Sequence, residues 1–137
     1  MSSELVEAAR HARNNAYAPY SNYKVGAAVR SADGFIFTGS NVENVSYGLT
    51  LCAERVAIAQ MVSAGHHQLS AIALVTADGA MPCGMCLQTM LEFAVDPSSV
   101  FIWCAAGDDT DREYILKDLI PYGFSSKSVN RAEPFGL

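Results

Sequence analysis

The chain has 137 residues, half of them apolar, and its 14 Asp and Glu exceed its nine Lys and Arg, giving a formal charge of −5. This length and apolar content suffice for one domain with its own core, so we predict a single domain over residues 1–137. The acidic balance disfavours a nucleic-acid-binding protein, which would need a basic face. The longest purely apolar run, Val100–Ala106, is far shorter than the roughly 20 residues of a spanning helix, so no membrane partner is expected.

The first third of the chain predicts a helix and a hairpin. Apolar spacing favours a short helix over Leu5–Ala12. The aromatic segment Ala16–Tyr23 is interrupted by Pro19 and predicts a loop with buried rings. Two β-favouring runs, Val25–Val29 and Phe35–Thr38, are joined by a turn that contains Asp-Gly and therefore predict a β-hairpin.

The rest of the chain alternates between helical and strand-like segments. A polar and aromatic stretch at Asn41–Leu51 has no clear period, which suggests a long loop that lines a site. The elements predicted after it are helices at Cys52–Ala64 and Cys83–Ala94, buried strands at Leu69–Thr76 and Val100–Cys104, an edge strand at Glu113–Leu116 and a helical turn at Lys117–Ile120. This order predicts an α/β fold with helices on both faces of a mixed sheet.

Four cysteines require an explanation, since the charged N-terminus lacks the apolar segment of a signal peptide and favours a cytoplasmic protein, where disulfides rarely persist. Cys83 and Cys86 are spaced so that both can reach one ion from the first turn of a helix. Cys52, at the start of another helix, would supply a third ligand. Three protein ligands with one open position are typical of catalytic zinc, whereas structural zinc usually takes four.

Two charged residues, Glu54 and Arg55, lie two and three positions after Cys52. Glu54 lies two positions beyond this ligand, so it should not bind the ion and can instead carry protons for a water at the metal. Three thiolates around Zn²⁺ leave a net negative charge, which disfavours an acidic water. We expect Arg55 and the two helix N-termini to offset that charge.

Five segments of the chain resemble those of the small bacterial-type cytidine deaminases. They are AYAPYS (16–21), VGAA (25–28), NVENVSYGLTLCAER (41–55), PCGMC (82–86) and GFSS (123–126). The cysteine and glutamate pattern is the all-cysteine form of the zinc-deaminase signature. The resemblance covers nearly the whole chain and implies a three-layer α-β-α sandwich with a mixed five-stranded sheet, as one catalytic domain.

The resemblance also implies an activity and a state of assembly. The activity is zinc-dependent hydrolytic deamination of cytidine and 2′-deoxycytidine to uridine and 2′-deoxyuridine, with release of ammonia, in pyrimidine salvage. Each chain would bind one Zn²⁺. The active unit would be a homo-oligomer, with a tetramer expected.

Residues near the sugar and base are assigned in the same way. Asn41 and Glu43 alternate in an extended segment, so both can face one pocket, and the matching residues of similar deaminases hold the ribose 3′-OH. Tyr23 stands where the family commonly has a phenylalanine that packs against the pyrimidine. Ala53 is also assigned to substrate binding.

Two further aromatic residues, Tyr47 and Phe124, match positions that relatives contribute across subunit boundaries. The resemblance implies that the late phenylalanine stacks near the base. One departure is Leu87, where the family usually has arginine after the last cysteine. Treating this as an exposed helix position, we expect Leu87→Arg to be tolerated and deamination to be unchanged or faster.

Three other interpretations remain open from the sequence. Cys83 and Cys86 could form a redox pair, which leaves Cys52 and Glu54 unexplained. All four cysteines could form a closed, non-catalytic zinc module, although Cys104 lies in a buried-strand context where a thiol is usually a small apolar residue. The substrate could also be a modified cytidine or a cytosine-containing antibiotic such as blasticidin S.

Overall fold

A mixed five-stranded sheet lies between helices on both of its faces in the computed structural model, which describes residues 2–107 and 111–125. The elements in chain order are α1 (Ser2–Arg13), β1 (Gly26–Ser31), β2 (Ile36–Ser40), α2 (Ala53–Ser63), β3 (Leu69–Val75), α3 (Gly84–Phe93), β4 (Phe101–Ala105), β5 (Asp111–Ile115) and α4 (Leu116–Leu119). The strands are ordered β2-β1-β3-β4-β5. Strands β3 and β4 are parallel and the other neighbours are antiparallel, which confirms the predicted α/β class.

The hairpin of β1 and β2 turns where the Asp-Gly pair predicts it. Gly34 adopts a φ of 94°, a left-handed conformation that favours glycine, and its N–H donates to the Ser31 carbonyl at 2.9 Å. The strands then pair in register from Gly26 with Ser40 to Arg30 with Ile36. The short turn therefore sets which side chains of the hairpin face the larger core.

The two faces of the sheet differ in the size of their side chains. On one face, Val29, Ile72 and Leu74 pack against buried residues of α2 and α3. On the other face, α1 lies on a surface made mainly of alanines. The main residues of this second face are Leu5, Val6 and Ala9 of α1 with Ala28, Ala71, Ala73 and Val75 of the sheet. Small side chains allow α1 to approach closely, while the larger core lies on the side of α2 and α3.

Helix α2 lies directly on β2 because Gly39 has no side chain. A Cβ at Gly39 would lie 2.6 Å from the Ala57 nitrogen and 2.8 Å from the Ala53 carbonyl oxygen, both in the backbone of α2. Real side chains do not occupy such a space, so glycine is required for this approach. The first turn of α2 is thereby held against the sheet.

The loop before β1 differs from the prediction that its rings are buried. Tyr17 is 56% exposed and Tyr20 is 48% exposed. The loop is held through its backbone instead: the Tyr17 N–H donates to the Asn41 carbonyl and the Glu43 N–H donates to the Tyr17 carbonyl, both at 2.9 Å. The prediction of buried rings was wrong for Tyr17 and Tyr20, because backbone hydrogen bonds hold the loop without burial of these side chains.

Among residues 2–107 and 111–125, the helices are all too short or too polar to cross a lipid bilayer.

Candidate active site

Three cysteine thiols meet where α2 and α3 begin. The sulfurs of Cys52, Cys83 and Cys86 all lie within 4.8 Å of one another, and those of Cys83 and Cys86 are 3.6 Å apart. Sulfurs about 2.3 Å from a tetrahedral zinc ion would be separated by about 3.8 Å. The spacing therefore fits a zinc ion bound by three thiolates.

The helix starts explain how residues from distant parts of the chain converge. Cys52 is the N-cap of α2 and Cys83 is the N-cap of α3, and neither side chain makes a capping hydrogen bond. Cys86 lies in the first turn of α3 and is fully buried. Both helix N-termini thus point toward the thiols, where their partial positive charge favours thiolates.

The thiols influence one another strongly. A hydrogen bond from Cys86, with help from Arg55, lowers the pKa of Cys52 to about 5. The same bond, together with burial, raises the pKa of Cys86. Three thiolates so close together would repel one another unless a cation lay between them. Binding of zinc at this point would therefore displace the thiol protons.

Glu54 lies beside the thiols on the first turn of α2. Its side chain is 5% exposed, and burial raises the pKa of its carboxyl, as does the neighbouring Cys52 thiolate. A raised pKa lets the carboxyl take up and release a proton nearer to neutral pH. The structure brings Glu54 to the cavity that adjoins the thiols, as its sequence position predicts.

Arg55 contacts the metal site from the outer side. One Nη donates to the Cys52 sulfur at 3.8 Å and to the Thr50 carbonyl at 3.2 Å. The sequence predicts a supporting charge here, and the guanidinium lies where it can fulfil that role.

A cavity of about 280 Å³ opens above the thiols, near the lower end of the roughly 300–1,000 Å³ of small-molecule sites. The predicted site residues Cys52, Ala53, Glu54 and Cys83 line its floor. Its walls are formed by Ser21, Tyr23, Val25, Asn41, Glu43, Thr50, Leu51, Leu74, Thr76, Ala80 and Met81. The cavity thus joins the metal site to most of the residues predicted to bind substrate.

Asn41 and Glu43 face this cavity because the segment that carries them is extended. Val42 pairs with Leu51 through two hydrogen bonds of 2.9 Å, and Tyr17 pairs on the other side. Alternate side chains of an extended segment point the same way. The predicted common orientation of the two residues is therefore present.

Both residues also support the loop before β1. The Asn41 Oδ1 accepts from the Val25 N–H at 3.0 Å and its Nδ2 donates to the Tyr23 carbonyl at 2.8 Å. Glu43 Oε1 accepts the N–H groups of Tyr20 and Ser21, while Oε2 accepts the Ser21 hydroxyl. These bonds leave one amide hydrogen on Asn41 and one acceptor position on Glu43.

The sequence analysis missed two polar residues here: Thr76, which lines the cavity, and Asp78, which binds the wall residue Tyr23. The Tyr23 hydroxyl donates to Asp78 Oδ1 at 2.6 Å, and the Thr76 hydroxyl donates to the same oxygen at 3.2 Å. Thr76 and Asp78 follow the buried strand β3 directly. The sequence did contain a signal for them, because polar residues just after the carboxyl end of a central strand often lie at a ligand site.

The two remaining aromatic residues lie outside the lining of the cavity. Tyr47 is 75% exposed and meets Tyr20 edge-on, with ring centroids 6.1 Å apart. Phe124 is 66% exposed, and its carbonyl accepts from Gln88 Nε2 at 2.6 Å. The single chain therefore does not bring either ring to the base, which leaves the predicted contribution from a neighbouring subunit untested.

Leu87 differs from the expectation of an exposed helix position. It is half-buried and packs against the larger core. The fourth cysteine, Cys104, is buried on β4 and lies outside the group of three thiols. Burial raises its pKa to about 12, so it behaves as an apolar side chain.

Comparison with known proteins agrees with this geometry. Residues 1–102 match the sequence profile described as the cytidine and deoxycytidylate deaminase zinc-binding region. The chain is 40% identical over 128 residues to the cytidine deaminase of Halalkalibacterium halodurans, covering 92% of this chain and 96% of that protein. The chain belongs to the cytidine deaminase family. This assignment confirms the predicted family, the hydrolase class and the zinc cofactor held by the cluster of Cys52, Cys83 and Cys86.

Solved cytidine deaminases share the fold as well as the sequence. The 1.6 Å crystal structure from Burkholderia pseudomallei has a TM-score of 0.85 at 42% identity, covering 90% of this chain and 99% of that one. The crystal structure from Mycobacterium tuberculosis has a TM-score of 0.77 at 43% identity, covering 89% and 95%. These matches confirm the predicted sandwich with its mixed five-stranded sheet.

Proposed function

We propose that the protein deaminates cytidine and 2′-deoxycytidine hydrolytically to uridine and 2′-deoxyuridine, releasing ammonia, in pyrimidine salvage. The observation that carries this proposal is the convergence of three thiols and a buried glutamate at the floor of a cavity. Glu54 is 5% exposed, while the sulfurs lie within 4.8 Å of one another. A structural zinc site with four protein ligands has no bound water, so it would not need a buried carboxyl group beside the metal.

The chain's own residues then supply the proton transfers. Cys52, Cys83 and Cys86 would hold a zinc ion, which would supply the Lewis acidity that makes a water nucleophilic toward C4 of the pyrimidine. Glu54 Oε would take one proton from the water and pass it to N3. After attack at C4, it would take the remaining hydroxyl proton and pass it to the amino group, which leaves as ammonia. Burial favours this shuttle because it raises the pKa of the carboxyl. The backbone of Ala53 lies on the same floor and can hold the base in place.

The cavity favours a nucleoside over a nucleotide. Among the described residues that line it, Lys, Arg and His are missing, while Glu43 and Glu54 contribute carboxyl groups. A hydrogen bond from Ser21 lowers the pKa of Glu43, so this carboxylate is charged at neutral pH. A neutral sugar hydroxyl can donate to it, whereas a 5′-phosphate would be repelled.

The sugar contacts assigned to Asn41 and Glu43 use the atoms that remain available. Their hydrogen bonds to the loop before β1 leave an Nδ2 hydrogen and an Oε2 lone pair. A 3′-OH can accept the first and donate to the second. The 3′-OH occurs in both ribose and deoxyribose, so we expect both nucleosides to be substrates.

We further propose a homotetramer whose sites are completed by neighbouring copies. The loop before α2 exposes a run of apolar side chains, in which Val45 is 76%, Tyr47 75% and Leu49 65% exposed. Adjacent exposed apolar residues of this kind are typical of interfaces. Sedimentation at assay concentration tests the point: a fully active monomer would remove the shared-site proposal.

Two further proposals concern the location of the protein in the cell and its domain organisation. We propose a cytoplasmic location, because Cys52, Cys83, Cys86 and Cys104 are all unpaired thiols and such groups persist in a reducing compartment. We also propose that residues 1–137 form one catalytic domain, since the described helices and strands build a single layered sheet structure.

The deciding experiment is an absorbance assay on the zinc-loaded protein. Cytidine and deoxycytidine should be converted, with metal analysis giving one zinc per chain. Deoxycytidine 5′-monophosphate, N4-substituted cytidines and blasticidin S serve as comparison substrates. Conversion of a comparison substrate in preference to cytidine would contradict the proposed specificity, and a zinc-loaded protein without activity on any would contradict the function.

A further inference from the structure

The part of the cavity wall that contains Tyr23 is held by an aspartate outside the deaminase motifs. Tyr23 lies in the loop before β1, and Asp78 lies in the turn after β3. Their side chains are joined by a hydrogen bond of 2.6 Å from the phenol to Asp78 Oδ1. This bond connects two loops that are 55 positions apart and that both line the cavity.

The turn that carries Asp78 is itself firmly fixed. The Thr76 hydroxyl accepts the N–H groups of Gly79 at 2.8 Å and Ala80 at 3.1 Å, and donates to Asp78 at 3.2 Å. Asp78 also forms a backbone bridge with Ala106 at the end of β4. The carboxylate is therefore presented from the end of the central sheet, a rigid support.

Tyr23 is held at its backbone as well as at its hydroxyl. Its N–H donates to the Ser21 hydroxyl at 2.9 Å, and its carbonyl accepts from Asn41 at 2.8 Å. The backbone bonds leave rotation of the side chain free. The phenol also contacts the Thr76 side chain, and the 2.6 Å bond to the Asp78 carboxylate is the charged contact that fixes the direction of the ring.

The charge states of the pair suit this contact. Burial and the bond to Asp78 raise the pKa of Tyr23, so the phenol remains a donor. The bond from Tyr23 lowers the pKa of Asp78, so the carboxylate remains an acceptor. A hydroxyl that donates to a carboxylate forms one of the stronger hydrogen bonds in proteins.

We propose that Asp78 is a positioning residue for pyrimidine binding, which acts by holding the Tyr23 ring against the cavity. This inference rests on the proposed deamination of cytidine. Tyr23 is only partly buried and Asp78 is exposed, so without its partner the unpaired hydroxyl would draw the ring toward solvent.

The test is a double-mutant cycle on the zinc-loaded enzyme with Asp78→Ala, Tyr23→Phe and the double variant. Asp78→Ala should raise KM for cytidine roughly 5- to 10-fold while kcat and zinc content stay within about twofold. Tyr23→Phe should raise KM less, because a phenylalanine ring leaves no hydroxyl unpaired. The double variant should have a lower KM than Asp78→Ala alone, since it removes the orphaned hydroxyl.

Two further variants guard against a purely structural effect. Asp78→Asn retains an oxygen that can accept from Tyr23 and should rescue part of the KM change. Asp96→Ala removes another exposed aspartate that caps a turn through Ser98 and Ser99, away from the cavity, and should leave KM unchanged.

The outcomes separate this inference from the proposed function. An unchanged KM in Asp78→Ala, or a double variant no better than it, would overturn the role of Asp78 through Tyr23. A fall in kcat with loss of zinc would also overturn it and place Asp78 in support of α3. The melting temperatures of the four cycle proteins measure the same coupling without turnover, so an inactive wild type would contradict only the deamination.

Discussion

The floor and the rim of the cavity are built in opposite ways. At the floor, Cys86 is fully buried and Glu54 is 5% exposed, and both lie on helices packed against the sheet. We call Tyr47 and Phe124 the rim: in the single chain they lie outside the lining of the cavity, they are 75% and 66% exposed, and neither is part of a strand. The chemical groups are thus complete within one chain, whereas the aromatic groups predicted to enclose the base have no partner surface in it.

This difference assigns separate tasks to the two regions. Because Glu54 and Cys86 are buried on packed helices, the floor holds the proton carrier and one metal ligand with little freedom, as bond-making chemistry requires. An exposed rim leaves the enclosure of the substrate to contacts that form on assembly. Changes at the floor should therefore alter kcat or metal content, and changes at the rim should alter KM.

The largest effect is expected from Glu54→Gln at the floor. The amide keeps the shape of the side chain but cannot carry a proton, so kcat should fall by roughly 10³-fold or more. Zinc content and melting temperature should change little, because Glu54 lies outside the three thiols. Steady-state kinetics with metal analysis check this, and substantial residual activity would show that another group moves the protons.

A smaller effect, on binding, is expected from Phe124→Ala at the rim. If Phe124 stacks on the base as the resemblance implies, loss of its ring should raise KM by roughly 10-fold, with zinc retained. Tyr122→Ala is the matched control, since Tyr122 is 98% exposed only two positions away. Equal KM values for the two variants would remove Phe124 from the substrate site. A shift in sedimentation with Phe124→Ala would add a role in assembly.

Leu87→Arg should mainly lower stability. The half-buried leucine packs against the larger core, so its replacement should cost about 1 kcal/mol in the free energy of unfolding. Met85→Arg adds the same charge to the same turn at a position that is 64% exposed, and should cost less. Urea denaturation of both variants separates packing from charge. Faster deamination by Leu87→Arg without loss of stability would restore the original expectation.

The smallest effect is expected from Cys104→Ser. Because Cys104 lies outside the thiol cluster, the variant should retain one zinc per chain. Cys83→Ser is the matched control and should lose the metal. Metal analysis of the two purified proteins decides the point: a Cys104→Ser protein without zinc would show that the assignment to three ligands is wrong.

Periodicity, turn chemistry and motif spacing were enough to predict the order of the elements. Helices α2 and α3 begin at Ala53 and Gly84, one residue after the predicted starts at Cys52 and Cys83, and Gly34 lies in the predicted turn. These features depend on neighbours in the sequence. The convergence of the thiols was predicted from the residue pattern and the family resemblance together.

The features that were missed depend on distances between segments far apart in the chain. Nothing near Asp78 indicates that Tyr23, 55 positions earlier, donates to it. The burial of Leu87 depends on how the first turn of α3 meets the core, and the exposure of Tyr17 depends on backbone pairing with another loop. Local pattern constrains each of these residues too weakly to fix its surroundings.

The close approach of α2 to β2 at Gly39 should couple metal binding to unfolding of the protein. Because the backbone of α2 rests on β2 with no intervening atoms, Cys52 keeps its distance from the α3 thiols only while that layer is intact. Any fluctuation that separates helix from strand also opens the set of ligands. Release of the ion and melting of this half of the sandwich should therefore be a single event, and the bound ion should raise the temperature at which it occurs.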